Sequence, residues 1–163
     1  MQAVDPFGDI PRVDKAFLDP GLYPYSVELP VRYSDLDSNR HVNNVAMFAL
    51  FEEARIQFGH HAGLKDALEG GHVVVGSQRL HYLAEARYGS PVLFSLAIGA
   101  LGRNAWRFWT IGMQRNKCVT AGDASSIYIR DGRVSDLPEA LRARFEPFRI
   151  RFPEPGLTGS GAV

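Results

Sequence analysis

The sequence predicts an α+β domain in which an antiparallel sheet of about five strands wraps around one long central helix. Three observations support this prediction. An alternating apolar segment comes first, a segment with helical apolar spacing follows, and four strand-like segments with short connections complete the order. Alternation is typical of half-buried strands, and recurrence at i, i+3 and i+4 is typical of a helix. Because one helix covers only one sheet face, partner subunits or polar residues are expected to cover the rest.

The first predicted strand lies in the segment YPYSVELPVRYSD, whose apolar residues alternate from Tyr25 to Tyr33. Alternation of this kind places them on one face. Pro30 interrupts the segment and cannot donate a hydrogen bond to a neighbouring strand. We therefore expect this strand to lie at an edge of the sheet or to be bulged.

The predicted central helix follows in the segment NNVAMFALFEEARIQFGHHAGL. Asn43 and Asn44 are natural N-cap residues, and Gly59 or Gly63 is a natural stop. The apolar residues recur at helical spacing and cover a broad surface. Such a surface is typical of a helix that is buried rather than lying on the outside.

Four strand-like segments follow, with hairpin turns expected at residues 102–104 and 116–117. Trp106 and Trp109 have odd spacing, so a regular strand cannot direct both inward. The segment LPEALRARFEPF then predicts a short terminal helix. The four segments begin at His72, Pro91, Ala105 and Cys118.

The length of 163 residues predicts one domain. We expect a flexible N-terminal arm over 1–23, the folded domain over 24–150 and a disordered Pro/Gly/Ser-rich tail over 151–163. The 18 basic and 18 acidic residues give no support for a nucleic-acid or anionic-membrane partner. The single cysteine, Cys118, excludes an internal disulfide and a cysteine-rich metal site. Without a secretory signal or membrane-length apolar run, the sequence predicts a soluble cytoplasmic protein.

The junction RYSDLDSNRHVNN, at residues 32–44, carries two aspartates, one histidine and three asparagines. The unpaired N–H groups of a helix start favour negative charge. A carboxylate beside them would combine a base or nucleophile with an oxyanion site. From the residues alone, however, capping a turn is the favoured role of each aspartate, and the asparagines could simply cap the helix.

From about Tyr25 to Phe145 the chain resembles the hotdog-fold thioesterases, in particular the 4-hydroxybenzoyl-CoA thioesterase type. The resemblance rests on the junction SDLDSNRHVNN, on FEEAR in the helix and on the strand order behind them. It implies hydrolysis of an acyl-CoA or acyl-carrier-protein thioester by a homodimer or homotetramer. It implies no cofactor, since coenzyme A is part of the substrate. Asp37 corresponds to the family's catalytic aspartate, and the oxyanion-binding N–H lies near Asn44.

The chain departs from the family at Arg40, where glycine commonly precedes the histidine. Glycine adopts a positive φ without steric strain, whereas arginine does so poorly. We therefore expect either a different loop path or the unusual conformation at Asn39, since asparagine tolerates it better.

Other junction residues have two possible roles. His41 could be a catalytic base, although a structural role with a ring nitrogen bonded to loop backbone is favoured. Asn43 could bind substrate or cap the helix. Asp35 is favoured as a structural turn acid. Of the helix carboxylates, Glu52 is expected to pair with Arg55 at i, i+3.

Coenzyme A carries phosphates, which guanidinium groups bind in a fork geometry. Arg79, Arg103 and Arg107 are the predicted phosphate-binding residues, although each could equally be a solvated surface arginine. No metal is predicted, because the histidine pair at 60–61 and His72 lack a further ligand at suitable spacing. Phe94, Trp106, Phe108 and Trp109 could line an acyl pocket, but core or interface positions are favoured.

Two other functions stay open at this point. A hotdog hydratase or dehydratase would pair a histidine and an acid in a different motif, which this junction lacks. A non-catalytic acyl-CoA-binding protein would keep the fold without turnover, and the departure at Arg40 favours it. The residues do not indicate the length of the acyl group or whether it is aryl or aliphatic. They also do not distinguish coenzyme A from acyl carrier protein as the carrier.

Overall fold

The computed structural model describes residues 13–152 and contains a six-stranded sheet and three α-helices in that range. Two 3₁₀ turns precede the first strand, a third lies in the junction, and a fourth follows the last helix. The elements are β1 (Tyr25–Leu29), α1 (Asn44–His61), α2 (Leu64–Ala67), β2 (His72–Tyr82), β3 (Val92–Leu101), β4 (Ala105–Gln114), β5 (Lys117–Arg130), β6 (Arg133–Val134) and α3 (Glu139–Phe145).

The sheet has the strand order β1-β3-β4-β5-β2, every pairing is antiparallel, and the two-residue β6 adds to β5. The predicted fold class is therefore confirmed. β1 lies at one edge, as expected, and the strand ends at Leu29, directly before Pro30. β2 forms the opposite edge, so one side of its backbone is open to pairing.

The central helix α1 covers one face of the sheet, where Phe51, Ala54 and Phe58 are fully buried. Asn43 caps its start, and Gly63 follows its end at φ +62°. The expectation of a wholly buried helix is wrong in part, since Val45 is 73% exposed in the protomer. No described helix is both long and apolar enough to cross a membrane.

The hairpin turns set the ends of the central strands. The β3–β4 turn lies at the predicted residues 102–104. The β4–β5 turn consists of Arg115 and Asn116, one residue before its predicted position, and Lys117 begins β5. Both turn residues have positive φ, +51° and +61°. This is the type I′ conformation that matches the twist of antiparallel strands.

The opposite face of the sheet carries a second apolar cluster, which includes Trp109, whereas Trp106 packs with the helix. The prediction of odd-spaced tryptophans on opposite faces is confirmed. Part of the predicted flexible arm packs on this second cluster: Phe17 and Tyr23 are each only 4% exposed. The Tyr23 hydroxyl donates to the Phe17 carbonyl at 2.8 Å. The arm is thus packed from residue 13 onward, because its aromatic side chains cover the sheet; 1–12 and 153–163 lie outside the described residues.

Candidate active site

The junction between β1 and α1 begins with a buried carboxylate, Asp35, which is 4% exposed. Its Oδ2 accepts from the Arg32 backbone N–H at 2.8 Å, and its Oδ1 accepts from the Arg32 Nη2 at 2.9 Å. The Asp35 carbonyl accepts from the Asn43 N–H at 2.8 Å. Asp35 therefore fixes both ends of the junction, as a structural turn acid does.

Asp37 closes the next turn of the loop. Its N–H donates to the His41 carbonyl at 2.8 Å. Its Oδ1 accepts from the backbone N–H groups of Asn39 at 2.8 Å and His41 at 3.0 Å. The other carboxylate oxygen has no hydrogen-bond partner within residues 13–152. One oxygen thus holds the turn, and the other is available for chemistry.

Arg40 adopts the left-handed conformation itself, at φ +61°. The expectation that Asn39 takes the unusual conformation is wrong, because Asn39 has no positive φ, and the different loop path stays a prediction. The Arg40 N–H donates to the Asp37 carbonyl at 3.0 Å, which closes the turn around the strained residue. A non-glycine residue held in this region costs about 1–3 kcal/mol.

The start of α1 provides the backbone donors. The Asn43 side-chain oxygen accepts from the Val45 N–H at 2.8 Å, and the Asn43 carbonyl accepts from the Met47 N–H at 2.9 Å. In the described part of the chain the Asn44 N–H has no acceptor. The Tyr82 hydroxyl donates to the Asn44 carbonyl at 3.2 Å and ties β2 to this turn. An unpaired amide at the positive end of the helix favours a developing negative charge.

His41 contacts a carboxylate from the segment after β2. Its Nε2 lies 3.1 Å from the Glu85 Oε2, which also accepts from the Arg87 Nη2 at 3.0 Å. The expected hydrogen bond from the ring to loop backbone is therefore replaced by a side-chain partner. The hydrogen bond from Arg87, with a smaller contribution from His41, lowers the pKa of Glu85. The backbone of this segment also holds the loop, since the Ala86 carbonyl accepts from the Val42 N–H at 2.8 Å.

These groups share an open cavity of about 500 Å³ between the loop, the start of α1 and the segment after β2. Of the predicted site residues, Asp37, His41 and Asn44 all line it. Asn43 is not among the lining residues, and its side-chain oxygen is engaged in the cap. Its predicted role in substrate binding therefore has no contact in the cavity to support it.

Sequence reasoning missed Tyr82 and Glu85, which also line the cavity. Tyr82 and Asn44 are 38 residues apart, so no local pattern connects them. The available signal was the strand order, which predicts that the end of β2 returns near the helix start. The remaining lining residues are Val42, Met47, Leu83, Ala84 and Ala86.

The sequence pattern of the thioesterase-like superfamily matches residues 31–145, from the junction through α3. The chain belongs to the thioesterase-like superfamily. The match covers well over half of the chain and includes every residue that lines the cavity. The suspected relation to hotdog-fold thioesterases is thereby confirmed.

Solved structures agree with this family assignment. A thioesterase from Thermus thermophilus, solved with coenzyme A and zinc, is 30% identical with a TM-score of 0.69, over 76% of this chain and 92% of that chain. A 1,4-dihydroxy-2-naphthoyl-CoA thioesterase from Synechocystis (14% identical, TM-score 0.66, 74% and 94% covered) shares the fold. A gentisyl-coenzyme A thioesterase also shares the fold: it is 15% identical with a TM-score of 0.66, over 74% of this chain and 99% of that chain. No curated protein matches the chain significantly.

The arginines predicted to bind phosphate lie away from the cavity of this thioesterase-like chain. Arg79 and Arg107 contact the two oxygens of Asp123 at 2.7 and 3.5 Å. Asp123 alternates with Ala124, which packs on the helix side, so this cluster lies on the opposite face. Arg103 pairs with Asp136 at 3.1 Å in the β3–β4 turn, at the far end of β4 from the cavity.

Other candidate groups are also engaged elsewhere. Arg55 donates to the Gln78 side chain at 3.1 Å, where a pair with Glu52 was expected. Glu53 accepts from the Gln57 side chain at 2.8 Å. Burial raises the pKa of the Cys118 thiol to about 11, which disfavours the nucleophilic thiolate at neutral pH. Within residues 13–152 no three potential metal ligands lie close enough together to hold an ion.

Proposed function

We propose that the protein is an acyl-CoA thioesterase in which Asp37 is the general base or nucleophile. The observation that carries this proposal is the shared cavity of the Asp37 carboxylate and the Asn44 amide. The free carboxylate oxygen supplies the base, and the helix start supplies a donor for charge that develops on the substrate. Membership of the thioesterase-like superfamily supports the same reaction.

In the proposed reaction, Asp37 removes a proton from water as the water oxygen attacks the thioester carbonyl. The carbonyl oxygen becomes an oxyanion, which the Asn44 N–H stabilises. When the carbon–oxygen double bond re-forms, the carbon–sulfur bond breaks and the coenzyme A thiolate leaves. The thiolate regains a proton, and the free acid is released. If Asp37 attacks directly, water instead cleaves the resulting anhydride.

We infer that His41 and Glu85 act as positioning residues. Both backbone groups of His41 bond to Asp37, and its ring is held by Glu85 across the cavity. This arrangement fixes the direction of the free carboxylate oxygen without requiring the imidazole to exchange a proton with the substrate. Exact placement of a catalytic group contributes strongly to rate.

The test is release of thiol from a panel of aliphatic and aryl acyl-CoAs, with Asp37→Asn as the variant. The asparagine carbonyl can still accept the two loop N–H groups, so the fold should persist. We expect kcat to fall by about 10²–10⁴-fold or more, the usual range for loss of a catalytic base. Near-native turnover by Asp37→Asn, or saturable acyl-CoA binding without thiol release by the wild type, would refute the assignment.

We further propose that the functional unit is a homodimer or a larger homo-oligomer. The open backbone of β2 is flanked by exposed Val73, Val74 and Val75, which are 36–46% exposed in the protomer. A second copy of β2 would pair these edges and cover the valines. Light scattering of the wild type and of Val74→Lys tests this, and a monomeric wild type would contradict it. The cytoplasmic location stays a prediction.

A further inference from the structure

A second cavity, of about 410 Å³, adjoins the candidate active site and shares Ala84 and Glu85 with it. It is lined by three cationic side chains, Arg87, Arg115 and Lys117. Arg87 comes from the loop after β2, Arg115 from the β4–β5 turn and Lys117 from the start of β5. The fold therefore concentrates positive charge directly beside the catalytic junction, although the net charge of the chain is zero.

The floor of this basic cavity is built by Gln114, which is only 6% exposed. Its Oε1 accepts from the Arg87 N–H at 2.8 Å, and its Nε2 donates to the carbonyls of Arg87 and Ser90, each at 2.8 Å. Arg115 adds a hydrogen bond from its Nε to the Ser90 hydroxyl at 3.0 Å. The loop after β2 and the β4–β5 turn are thus fixed together, which brings Arg87 and Arg115 to the same cavity.

The positive charges in this cavity are only partly neutralised, because three cations and one carboxylate line it. Glu85 is the acidic lining residue, and it already bonds to Arg87 and His41. Within residues 13–152 neither Arg115 nor Lys117 forms an ion pair with a carboxylate. By contrast, the predicted phosphate-binding residues Arg79, Arg103 and Arg107 all face carboxylates. Lys117 interacts with Glu85 at longer range, so three cations share one carboxylate, and this excess of positive charge suits a phosphate-bearing ligand.

We propose that Arg87, Arg115 and Lys117 bind the phosphates of the coenzyme A nucleotide while the thioester lies at Asp37. This inference rests on the proposed thioesterase function and specifies the carrier that the site accepts. The pantetheine arm would cross the wall formed by Ala84 and Glu85, where the two cavities meet. Phosphate recognition by this cavity favours acyl-CoA over substrates whose pantetheine lacks the nucleotide.

The experiment compares hydrolysis of an acyl-CoA with hydrolysis of the matching acyl-pantetheine, which has no phosphate groups. In the double variant Arg115→Gln/Lys117→Gln we expect KM for the acyl-CoA to rise about tenfold or more, with kcat unchanged. Kinetics on the acyl-pantetheine should be unchanged. For the wild type, higher salt should raise KM for acyl-CoA and leave the acyl-pantetheine unaffected.

Arg130→Gln/Arg133→Gln is the matched control, since it removes two exposed cations, one at the other end of β5 and one in β6. Arg103→Gln tests the rival site in the β3–β4 turn. Unchanged KM in Arg115→Gln/Lys117→Gln, or an equal rise in the control, would overturn the proposal. So would a rise with Arg103→Gln alone, or dependence on these cations for acyl carrier protein but not for CoA.

Calorimetric binding of free coenzyme A separates this proposal from the thioesterase assignment. We expect wild type to bind coenzyme A and the Arg115→Gln/Lys117→Gln variant to bind it about tenfold more weakly, even if neither hydrolyses any thioester. Binding that needs these cations without turnover would refute the enzyme and retain the nucleotide site. Thioester turnover with equal coenzyme A binding by both proteins would retain the enzyme and refute the nucleotide site.

Discussion

The two aspartates of the junction, Asp35 and Asp37, are only two residues apart but have opposite environments. Asp35 is buried, and both of its oxygens accept hydrogen bonds from Arg32. Asp37 is half-buried, faces a cavity and uses one oxygen to hold its own turn. The comparison shows that the carboxylate with unfilled hydrogen-bonding capacity, rather than the better-held one, is suited to act on a substrate.

Removing the charge at each aspartate should therefore have opposite effects on stability and activity. Asp35→Asn removes a charge-assisted contact from a buried site, and we expect a loss of about 2 kcal/mol in the free energy of unfolding. Its kcat should stay within about tenfold of wild type. Asp37→Asn should lose activity and less than about 1 kcal/mol of stability, since its local turn bonds survive. Urea unfolding and thiol release measure both; the reverse pattern would contradict the assignment.

Glu85→Gln tests whether the free oxygen of Asp37 depends on the contact between His41 and Glu85. We expect kcat to fall roughly tenfold with little change in KM, because the loop loses the carboxylate that contacts the His41 ring and Asp37 is placed less accurately. The control is Glu53→Gln, which changes an exposed glutamate on α1. A fall in kcat shared by both variants, or absent from both, would contradict the positioning role.

The same contact predicts a dependence on pH. The pKa of Glu85 is lowered, chiefly by the hydrogen bond from Arg87. Its carboxylate therefore stays ionised at neutral and mildly acidic pH, and its contribution to stability is lost as the pH falls through that lowered pKa. In Glu85→Gln this acid-side loss should be absent, which unfolding measurements across the acidic range would show.

Arg40→Gly addresses the strain in the loop that carries Asp37. Glycine relieves the positive φ but makes the unfolded chain more flexible, so we expect a net gain of about 1 kcal/mol in stability. Arg40→Ala keeps a Cβ in the same conformation and should give no such gain. Equal stability changes in the two variants, measured by thermal unfolding, would show that the loop is not strained at this residue.

Much of the fold was predictable because alternation, helical spacing and turn residues are local signals. The edge position of β1, the cap at Asn43 and the separation of Trp106 from Trp109 all followed from nearby residues. The catalytic geometry assigned to Asp37 depended instead on a family resemblance. The contacts of Glu85 and Gln114 join segments that are distant in the sequence. The contact between His41 and Glu85 and the basic cavity therefore cannot be predicted from neighbouring residues.

The arginines predicted to bind phosphate illustrate the same limit. Arg79 and Arg107 carry the right chemistry, but strand pairing brings Asp123 between them. Whether a cation is free depends on which acid the sheet register places beside it, and that information is not contained in the spacing of basic residues. The packed part of the N-terminal arm was missed for a related reason, since Phe17 and Tyr23 are buried by a sheet face formed later in the chain.

The conformation of the β4–β5 turn has a consequence for attempts to make this protein more thermostable. A turn of this type favours Asn-Gly, whereas the chain places Arg115 at φ +51°. Redesign guided by backbone preference would exchange this pair first and would remove a guanidinium from the basic cavity. A more heat-resistant variant obtained that way should bind the coenzyme A nucleotide more weakly. Selection for melting temperature alone would therefore lower the affinity for the proposed substrate.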